Sequence, residues 1–196
     1  ATNAPVMCLT GQIPTAGLGK GIGYLHELPD QLATMRTLTK WADRAMTPEA
    51  APELVNEAFR QMLGGRQRPV SLEMPMDIMA ESRDVAALPP AVIPAAPAID
   101  QDAINAAAKL LAGAKRPLII AGGGALAAGA DVERLATFLQ APVVSFRSGR
   151  GIVSDRSHLS QMFPAGNDLW KGADVIIGLG SRMEQQYLYW GIGPDM

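Results

Sequence analysis

The residues most suggestive of ligand binding are glycines that follow a short apolar run. Residues 118–121 are apolar throughout, as expected for a strand buried on both faces, and Gly122-Gly-Gly-Ala-Leu-Ala127 follows as a G-x-G-x-x-A pattern. Glycines at such a turn let a pyrophosphate approach the backbone, and the N-terminus of a following helix supplies N–H donors. The pattern predicts nucleotide contact at Gly122, Gly123 and Gly124, although a bare strand-to-helix turn would use the same glycines.

A second glycine turn, Gly178-Leu-Gly-Ser-Arg182, adds Gly180 and Arg182 to the residues that could face an anionic ligand. Ligands of open parallel sheets bind at the carboxyl ends of strands, where both turns would lie. The acidic residue that would bind a ribose is expected about 20 residues after the glycines. That place carries Val144-Ser-Phe-Arg147, which weakens an NAD interpretation. An NAD(P)- or nucleotide-binding Rossmann-type oxidoreductase module remains one hypothesis.

Few other side chains suggest chemistry. His26 is adjacent to Glu27, and His158 is the second of two histidines, so no metal site is predicted. Either histidine could be a general base or an ordinary surface residue. Cys8 cannot form a disulfide within the chain, and its place in a strand favours a small core residue.

Composition narrows the class of protein. The chain has 196 residues, 48% hydrophobic and 18% charged, which allows one ordinary domain or two small ones and excludes a disordered polymer. A net charge of −2 provides no basic field for nucleic acid. No apolar run reaches the roughly 18 residues that a membrane span needs. We therefore expect a cytoplasmic protein that binds neither nucleic acid nor membrane.

Strands and helices alternate along the chain. Apolar runs predict strands at 5–9 and 70–74, and then at 118–121, 143–146 and 175–178. Thr47 is a good N-cap for a helix that ends at Gly64, and Asp100 can cap another. Shorter helices are expected at 132–139 and 168–172. This alternation predicts an α/β fold with parallel sheets flanked by helices and a Rossmann-like second part.

A proline-rich stretch at 88–98 predicts an extended linker, because proline fixes φ and disfavours helix before it. It divides the chain into residues 1–85, a linker at 86–98, and residues 99–196. The first strand begins almost at once, and Gly193-Pro-Asp-Met196 adds no closing element after an aromatic segment. We therefore expect the chain to be a piece of a longer polypeptide.

Several motifs in order resemble the thiamine-diphosphate-dependent enzymes of the acetolactate synthase family. The first part carries Pro5-Val-Met-Cys-Leu-Thr-Gly-Gln-Ile-Pro14, then His26-Glu27, then Thr39-Lys40, and closes on Arg68-Pro-Val-Ser-Leu-Glu-Met-Pro-Met-Asp77. The second part carries Arg116-Pro-Leu-Ile-Ile-Ala-Gly-Gly-Gly124 and Ala173-Asp-Val-Ile-Ile-Gly-Leu-Gly-Ser-Arg182, which resemble the family's central domain. The resemblance covers nearly the whole chain.

The resemblance implies a protein of three α/β domains. Residues 1–85 would be the C-terminal half of the domain that binds the cofactor's pyrimidine, and residues 99–196 a truncated central domain. The cofactors implied are thiamine diphosphate and Mg²⁺, with ligands mostly outside this chain. The family's thiazolium ylid attacks a 2-keto acid such as pyruvate, carbon dioxide leaves, and an enamine is protonated or adds to an acceptor. A homodimer or homotetramer is implied, because the family's active site forms between subunits.

The resemblance also implies roles for individual residues. Gln12 matches a glutamine that reaches the active-site cavity, where its amide can bond an oxygen of the substrate; the alternative role is to cap the turn after Gly11. Lys40 matches a lysine near the substrate channel or flavin. Flavin-binding members carry Arg-Phe-Asp-Asp-Arg after the last strand, whereas this chain has Arg182-Met-Glu-Gln-Gln186 and retains only the first arginine. FAD, ADP or an empty site are the alternatives, and the chain alone is expected to be inactive.

Overall fold

The fold is given by a computed structural model, which describes residues 3–191. The chain divides into two compact units, Ala1–Ala98 and Ile99–Met196. The described residues 81–100 contain neither helix nor strand, as the prolines at 88–98 predict. That the units are parts of particular domains of a larger enzyme stays a prediction. Residues 193–196, on which the expected truncation partly rests, lie outside the described residues.

The first unit is built on a three-stranded parallel sheet. Strand β3 lies in the centre, with β1 on one side and β2 on the other. The elements in chain order are β1 (Met7–Gln12), α1 (Gln31–Leu38), β2 (Trp41–Arg44), α2 (Ala51–Leu63), β3 (Val70–Pro75) and α3 (Met76–Met79).

The segment leading into α2 begins at the residue that the sequence predicts. The side-chain oxygen of Thr47 accepts a hydrogen bond from the Ala50 backbone N–H, so the N-cap is confirmed. Ala58 and Met62 are buried on the face of α2 that packs against Val70 in the centre of the sheet. This packing fixes one face of the sheet and leaves the other to α1.

The second unit contains a four-stranded parallel sheet in the order β6-β5-β4-β7. Its central strands are short and continuously apolar, as expected for strands buried on both faces. The elements are α4 (Gln101–Gly113), β4 (Pro117–Ala121), α5 (Gly129–Leu139), β5 (Val143–Ser145), β6 (Ser160–Gln161), α6 (Phe163–Gly172), β7 (Val175–Leu179) and α7 (Glu184–Tyr189).

Helices cover both faces of the second sheet. Ile119 of β4 belongs to a core that includes Val132 of α5, whereas Leu118 and Ile120 pack with Trp170 of α6. Alternate residues of β4 therefore enter opposite cores, which requires a strand with apolar side chains on both faces. The predicted α/β class, with parallel sheets flanked by helices, is confirmed.

The sequence-based boundaries differ from the structure in both units, and α6 begins at Phe163 where the sequence predicts a helix at 168–172. The sequence predicts a strand at 5–9 that runs into Thr10-Gly11-Gln12, but β1 begins at Met7 and continues through Gln12, because residues 7–12 pair in register with Val70–Pro75. Cys8 of this strand is partly buried and free. The sequence analysis predicts no helix or strand at α1, β2, α3, β6 or α7.

Candidate functional site

A row of polar side chains crosses the first sheet near its carboxyl edge. Thr10 of β1, Glu73 of β3 and Arg44 of β2 occupy paired positions in the strand register. Paired residues of neighbouring strands lie on the same face of a sheet, and so does Gln12, two residues beyond Thr10. Gln12 and Arg44 line one cavity of about 240 Å³. The sheet thus brings a predicted site residue together with a cation that the sequence analysis missed.

Gln12 is 7% exposed. Its Oε1 accepts a hydrogen bond of 2.7 Å from the Ile13 backbone N–H. This bond resembles the turn-capping role that the sequence analysis gives as the alternative to substrate contact. Its Nε2 makes no hydrogen bond to another described residue and remains available to the cavity. Contact between Gln12 and a substrate stays a prediction.

Glu73 is a carboxylate in the middle of the core of the first unit, only 1% exposed. One oxygen accepts a hydrogen bond from Arg44 Nε, and the other accepts one of 2.8 Å from Gln31 Nε2. A buried carboxylate is costly unless it is paired in this way. The signal that could have found this network is an acidic residue inside the apolar strand at 70–74.

A second carboxylate, Asp77, ties the loop that follows β1 to helix α3. Both oxygens of Asp77 accept from the Thr15 backbone N–H at 3.1 Å, and one accepts from the Thr15 hydroxyl at 2.5 Å. The hydroxyl bond, followed by the backbone bonds, holds the pKa of Asp77 below its usual range. Thr15 and the motif residue Asp77 therefore fix the loop that follows Gln12.

Replacing Asp77 with asparagine should lower the urea midpoint of unfolding at neutral pH. The folded-state pKa of Asp77 is depressed, so its charge stabilises the fold above the unfolded pKa near 3.9, and that contribution is lost as pH falls through the folded pKa. The difference between wild type and Asp77→Asn should therefore shrink between pH 7 and pH 3. Asp84→Asn, an exposed aspartate outside secondary structure, is the control. An Asp77→Asn effect that is equal at both pH values would contradict this role.

His26 and Glu27 lie in the glycine-rich loop between β1 and α1. The Glu27 carboxylate accepts hydrogen bonds from the backbone N–H groups of Tyr24 and Gly23, at 2.9 and 2.7 Å, and the bond from Tyr24 most strongly lowers the pKa of Glu27. His26 is exposed and adopts a left-handed φ of 71°. Its role as a general base stays a prediction.

Lys40 lies at the opposite edge of the first sheet from Gln12, just before β2. Its Nζ donates hydrogen bonds to the carbonyl oxygens of Gly64, at 2.7 Å, and Arg66, at 3.1 Å. A cation at the C-terminus of α2 is favoured by the helix dipole. The structure explains Lys40 as a helix cap and does not bring it together with Gln12. Its contact with a cofactor stays a prediction.

In the second unit, the glycines after β4 and β7 make a close backbone contact. A Cβ added to Gly122 would lie 2.5 Å from the carbonyl oxygen of Gly180. A Cβ added to Gly180 would collide with the backbone nitrogen of Ala125, and Gly180 also has a left-handed φ of 59°. Glycine is required at both positions because the two loops touch through their main chains.

The loop after β5 joins this contact. A Cβ added to Gly123 would lie 2.8 Å from the Ser148 hydroxyl oxygen, and one added to Gly149 would collide with the carbonyl of Ala121. Three loops at the carboxyl edge of the second sheet are thus packed together. The predicted glycine residues do meet at one edge.

The same contacts use N–H groups that a pyrophosphate would need. Gly122 N–H donates to the Leu179 carbonyl at 2.9 Å, and Gly124 N–H donates to the Gly180 carbonyl at 3.0 Å. The glycines are followed by the 3-10 helix Gly123–Ala128 rather than directly by α5. These observations favour the bare-turn interpretation of the motif. Nucleotide contact at Gly122, Gly123, Gly124 and Gly180 stays a prediction.

A cavity of about 310 Å³ lies instead over the carboxyl ends of β5 and β6. Arg147 and Arg150 line it, and the Arg147 guanidinium lies 5.1 Å from the centre of the Phe146 ring. Arg150 pairs with Asp155 at 3.6 Å. Arg147 has a left-handed φ of 50°, a conformation that often marks functional loops. This positive φ was not visible in the sequence.

Arg182, the retained arginine of the second glycine turn, is half-exposed. Its Nη2 donates a hydrogen bond of 2.9 Å to Glu184, with both side chains accessible to solvent. Such a pair is weak and can exchange for a ligand anion. Its contact with a cofactor stays a prediction.

Within residues 3–191, no group of three or more His, Cys, Asp or Glu side chains is placed to hold a metal ion. Among the helices described there, none is long and apolar enough to cross a membrane.

Comparison with known proteins places the second unit in a family. Residues 104–191 match the family described as "Thiamine pyrophosphate enzyme, central domain". This match contains β4, β5, β6 and β7, and with them both glycine turns and the arginine-lined cavity.

Whole-chain relatives extend the similarity to the first unit. The chain is 34% identical over 193 residues to a probable 2-ketoarginine decarboxylase of Pseudomonas aeruginosa, covering 93% of this chain and 34% of that protein. It is 32% identical to a probable acetolactate synthase large subunit of Methanocaldococcus jannaschii, covering 95% and 33%. It is 27% identical to a glyoxylate carboligase of Escherichia coli O157:H7, covering 95% and 33%.

The chain spans about a third of the length of these relatives. The predicted resemblance is confirmed, and the Rossmann-type oxidoreductase is not favoured. The parallel α/β fold, the central-domain match and the relatives lead to one conclusion. The chain belongs to the family of thiamine-pyrophosphate-dependent enzymes, and residues 104–191 of its second unit match the model of that family's central domain.

Proposed function

We propose that the protein containing this chain is a thiamine-diphosphate-dependent 2-keto acid decarboxylase or carboligase, a lyase or transferase. The observation that carries the proposal is similarity over 93% and 95% of the chain to a decarboxylase and a synthase of this family. The relatives are named for action on different small molecules, so the keto acid and the acceptor are left open. In this proposal Gln12 hydrogen-bonds an oxygen of the substrate.

Thiamine diphosphate and Mg²⁺ are the proposed cofactors. The described residues do not fit the cation, because they contain no cluster of acidic or histidine side chains that could hold it. We therefore place most ligands of the diphosphate and of Mg²⁺ in segments outside this chain. The 196-residue chain alone should then release no carbon dioxide from pyruvate when thiamine diphosphate and Mg²⁺ are added.

A nucleotide such as FAD or ADP is proposed for the second unit, in the cavity over β5 and β6. Arg147 and Arg150 offer guanidinium groups for a diphosphate, and Phe146 offers a ring face for stacking. The glycine turns support this placement indirectly. Two of their N–H groups are already bonded within the protein and are therefore not free to bind the phosphates. Arg182 is a further candidate for contact with the phosphates.

The assembly and the compartment are also proposals. The resemblance supports a homodimer or homotetramer, because family active sites form between subunits. The single free Cys8 fits a reducing, cytoplasmic compartment.

The experiment is cofactor extraction from the full-length protein. Thiamine diphosphate is oxidised to fluorescent thiochrome, and flavin is measured by its absorbance. Thiamine with flavin would support both proposals, whereas thiamine without flavin would remove FAD and leave ADP to be tested by thermal shift. If neither cofactor were found after reconstitution with Mg²⁺, the proposed function would be wrong and only the family fold would stand.

A further inference from the structure

We propose that the cavity at the carboxyl edge of the first sheet is a carboxylate site, in which Arg44 and Gln12 bind the carboxylate of a 2-oxo acid. The inference rests on the proposed function for the identity of the acid. The site consists of one cation, one amide and four apolar residues that line the same cavity.

The position of the Arg44 guanidinium is fixed by Glu73. Its Nε donates to Glu73, a carboxylate that is 1% exposed, while the Arg44 side chain keeps 20% of its surface accessible. Gln31 donates a hydrogen bond to the other oxygen of Glu73, and this second bond keeps the carboxylate from rotating away from Arg44. The terminal nitrogens of Arg44 make no hydrogen bond to another described residue. A guanidinium fixed in this way presents donors suited to a planar carboxylate with little further loss of side-chain entropy.

Gln12 supplies a second fixed donor. The bond from the Ile13 N–H to Gln12 Oε1 determines which end of the amide points away from the turn. That end is Nε2, which can only donate. A carboxylate can accept from Arg44 and from Gln12, whereas a cation would meet donors from both side chains.

Part of the remaining wall of the cavity is apolar, beside Gly19, Asp30 and Gln31. Ile13, Leu18, Leu28 and Pro29 line it, and its volume is about 240 Å³. This space suits an acid with a short carbon chain, whose carboxylate lies at the polar end and whose chain lies against the apolar residues.

Negative groups nearby are already engaged. Glu73 is paired with Arg44 and Gln31, as described above. Asp30, which also lines the cavity, is the N-cap of α1 and accepts from the Ala33 N–H at 2.9 Å. Its charge faces the positive end of that helix, which offsets its repulsion of a bound anion.

The test is an NMR titration of the ¹⁵N-labelled 196-residue chain with pyruvate. The Gln12 side-chain amide and the Arg44 Nε–H should show saturable shifts. In Arg44→Lys, which keeps the charge but loses the planar fork, the dissociation constant read from Gln12 should rise about tenfold or more. Arg36→Lys, an arginine of the same unit that pairs with Asp43 outside the cavity lining, should bind pyruvate as wild type does.

Methyl pyruvate, the uncharged ester, is the second probe and should bind at least about tenfold more weakly. Equal binding of the ester, equal binding by Arg44→Lys, or no saturable shift in wild type would each overturn the proposal. If Arg44→Lys lost the dispersed spectrum of the folded chain, Gln12→Glu would replace it, because it keeps the acceptor for Ile13 and adds a charge that repels the ligand. Undiminished pyruvate binding by Gln12→Glu would overturn the site.

The carboxylate site and the proposed function can be refuted independently of each other. Pyruvate binding with no thiamine in the extracted cofactor would support the carboxylate site and refute the proposed function. Thiamine in the extract with no response at Gln12 would overturn the carboxylate site alone.

Discussion

Replacing Gly180 with alanine is expected to lower the free energy of unfolding of the second unit by about 2–5 kcal/mol. The new Cβ would collide with the backbone of Gly124 and Ala125, neither of which can rotate away as a flexible side chain could. The left-handed φ of 59° adds a conformational cost for any residue with a Cβ. Chemical denaturation monitored by tryptophan fluorescence, in a Trp41→Phe background that leaves the second unit's tryptophans, measures the loss.

The control for Gly180→Ala is Gly151→Ala in the same unit. Gly151 also has a positive φ, of 87°, but a Cβ there would meet nothing within 4 Å. Its substitution therefore measures the conformational cost alone, expected to be about 1–2 kcal/mol. Equal losses for the two variants would show that the contact between the β4 and β7 loops does not carry the effect.

Replacing Glu73 with alanine is expected to destabilise the first unit by about 3–5 kcal/mol. The change leaves the partly buried Arg44 guanidinium without its carboxylate and removes an acceptor from Gln31. An unpaired charge in the interior costs more than the ion pair itself contributed. Urea unfolding followed by far-UV circular dichroism measures the loss.

Two further variants separate the ion pair from simple loss of packing. The double variant Glu73→Met with Arg44→Met removes both charges and should recover most of the stability, because apolar side chains can replace a buried pair. Glu53→Ala removes an exposed partner of Arg60 in the same unit and should cost less than about 1 kcal/mol. A double variant as unstable as Glu73→Ala would mean that volume, rather than charge, explains the loss.

The second unit was largely predictable from sequence because its signals are local. The Asp100 side chain accepts from the Ala103 N–H at 3.0 Å, as its type and place before an apolar helix predict. The strands at 118–121 and 175–178 are continuous apolar runs, and β4 and β7 contain them. Such runs have few alternatives to a strand inside a parallel sheet.

The first unit was harder to predict because its signals depend on tertiary contacts. Helix α1 has no buried residue and therefore no clear apolar face. Strand β2 has the sequence Trp41-Ala-Asp-Arg44, a charged pattern that is typical of a loop. Its place in the sheet depends on the ion pair between Arg44 and Glu73, which the sequence does not show. Pairing with β3 overrides the local tendency of β2, and α1 is joined to β3 through the bond from Gln31 to Glu73.

In the candidate sites too, some features could be predicted from the sequence and others depend on tertiary contacts. That Gln12 and the glycine turns lie at carboxyl edges follows from the order of strands and loops. The Arg44–Glu73–Gln31 network could not be read from spacing, because the strand register and α1 bring its members together. Nor could the sequence show that N–H groups of Gly122 and Gly124 are bonded to the loop after β7.

The strand order of the first unit also determines when its strands can pair during synthesis. Strand β3 lies between β1 and β2 in space but follows both in the chain, and Met7 pairs with Val70. At translation rates of about 5–20 residues per second, several seconds pass between the synthesis of β1 and that of β3, with which it pairs in this sheet. During that interval neither β1 nor β2 can pair with β3, so the three-stranded ladder of this unit closes late, around its central strand.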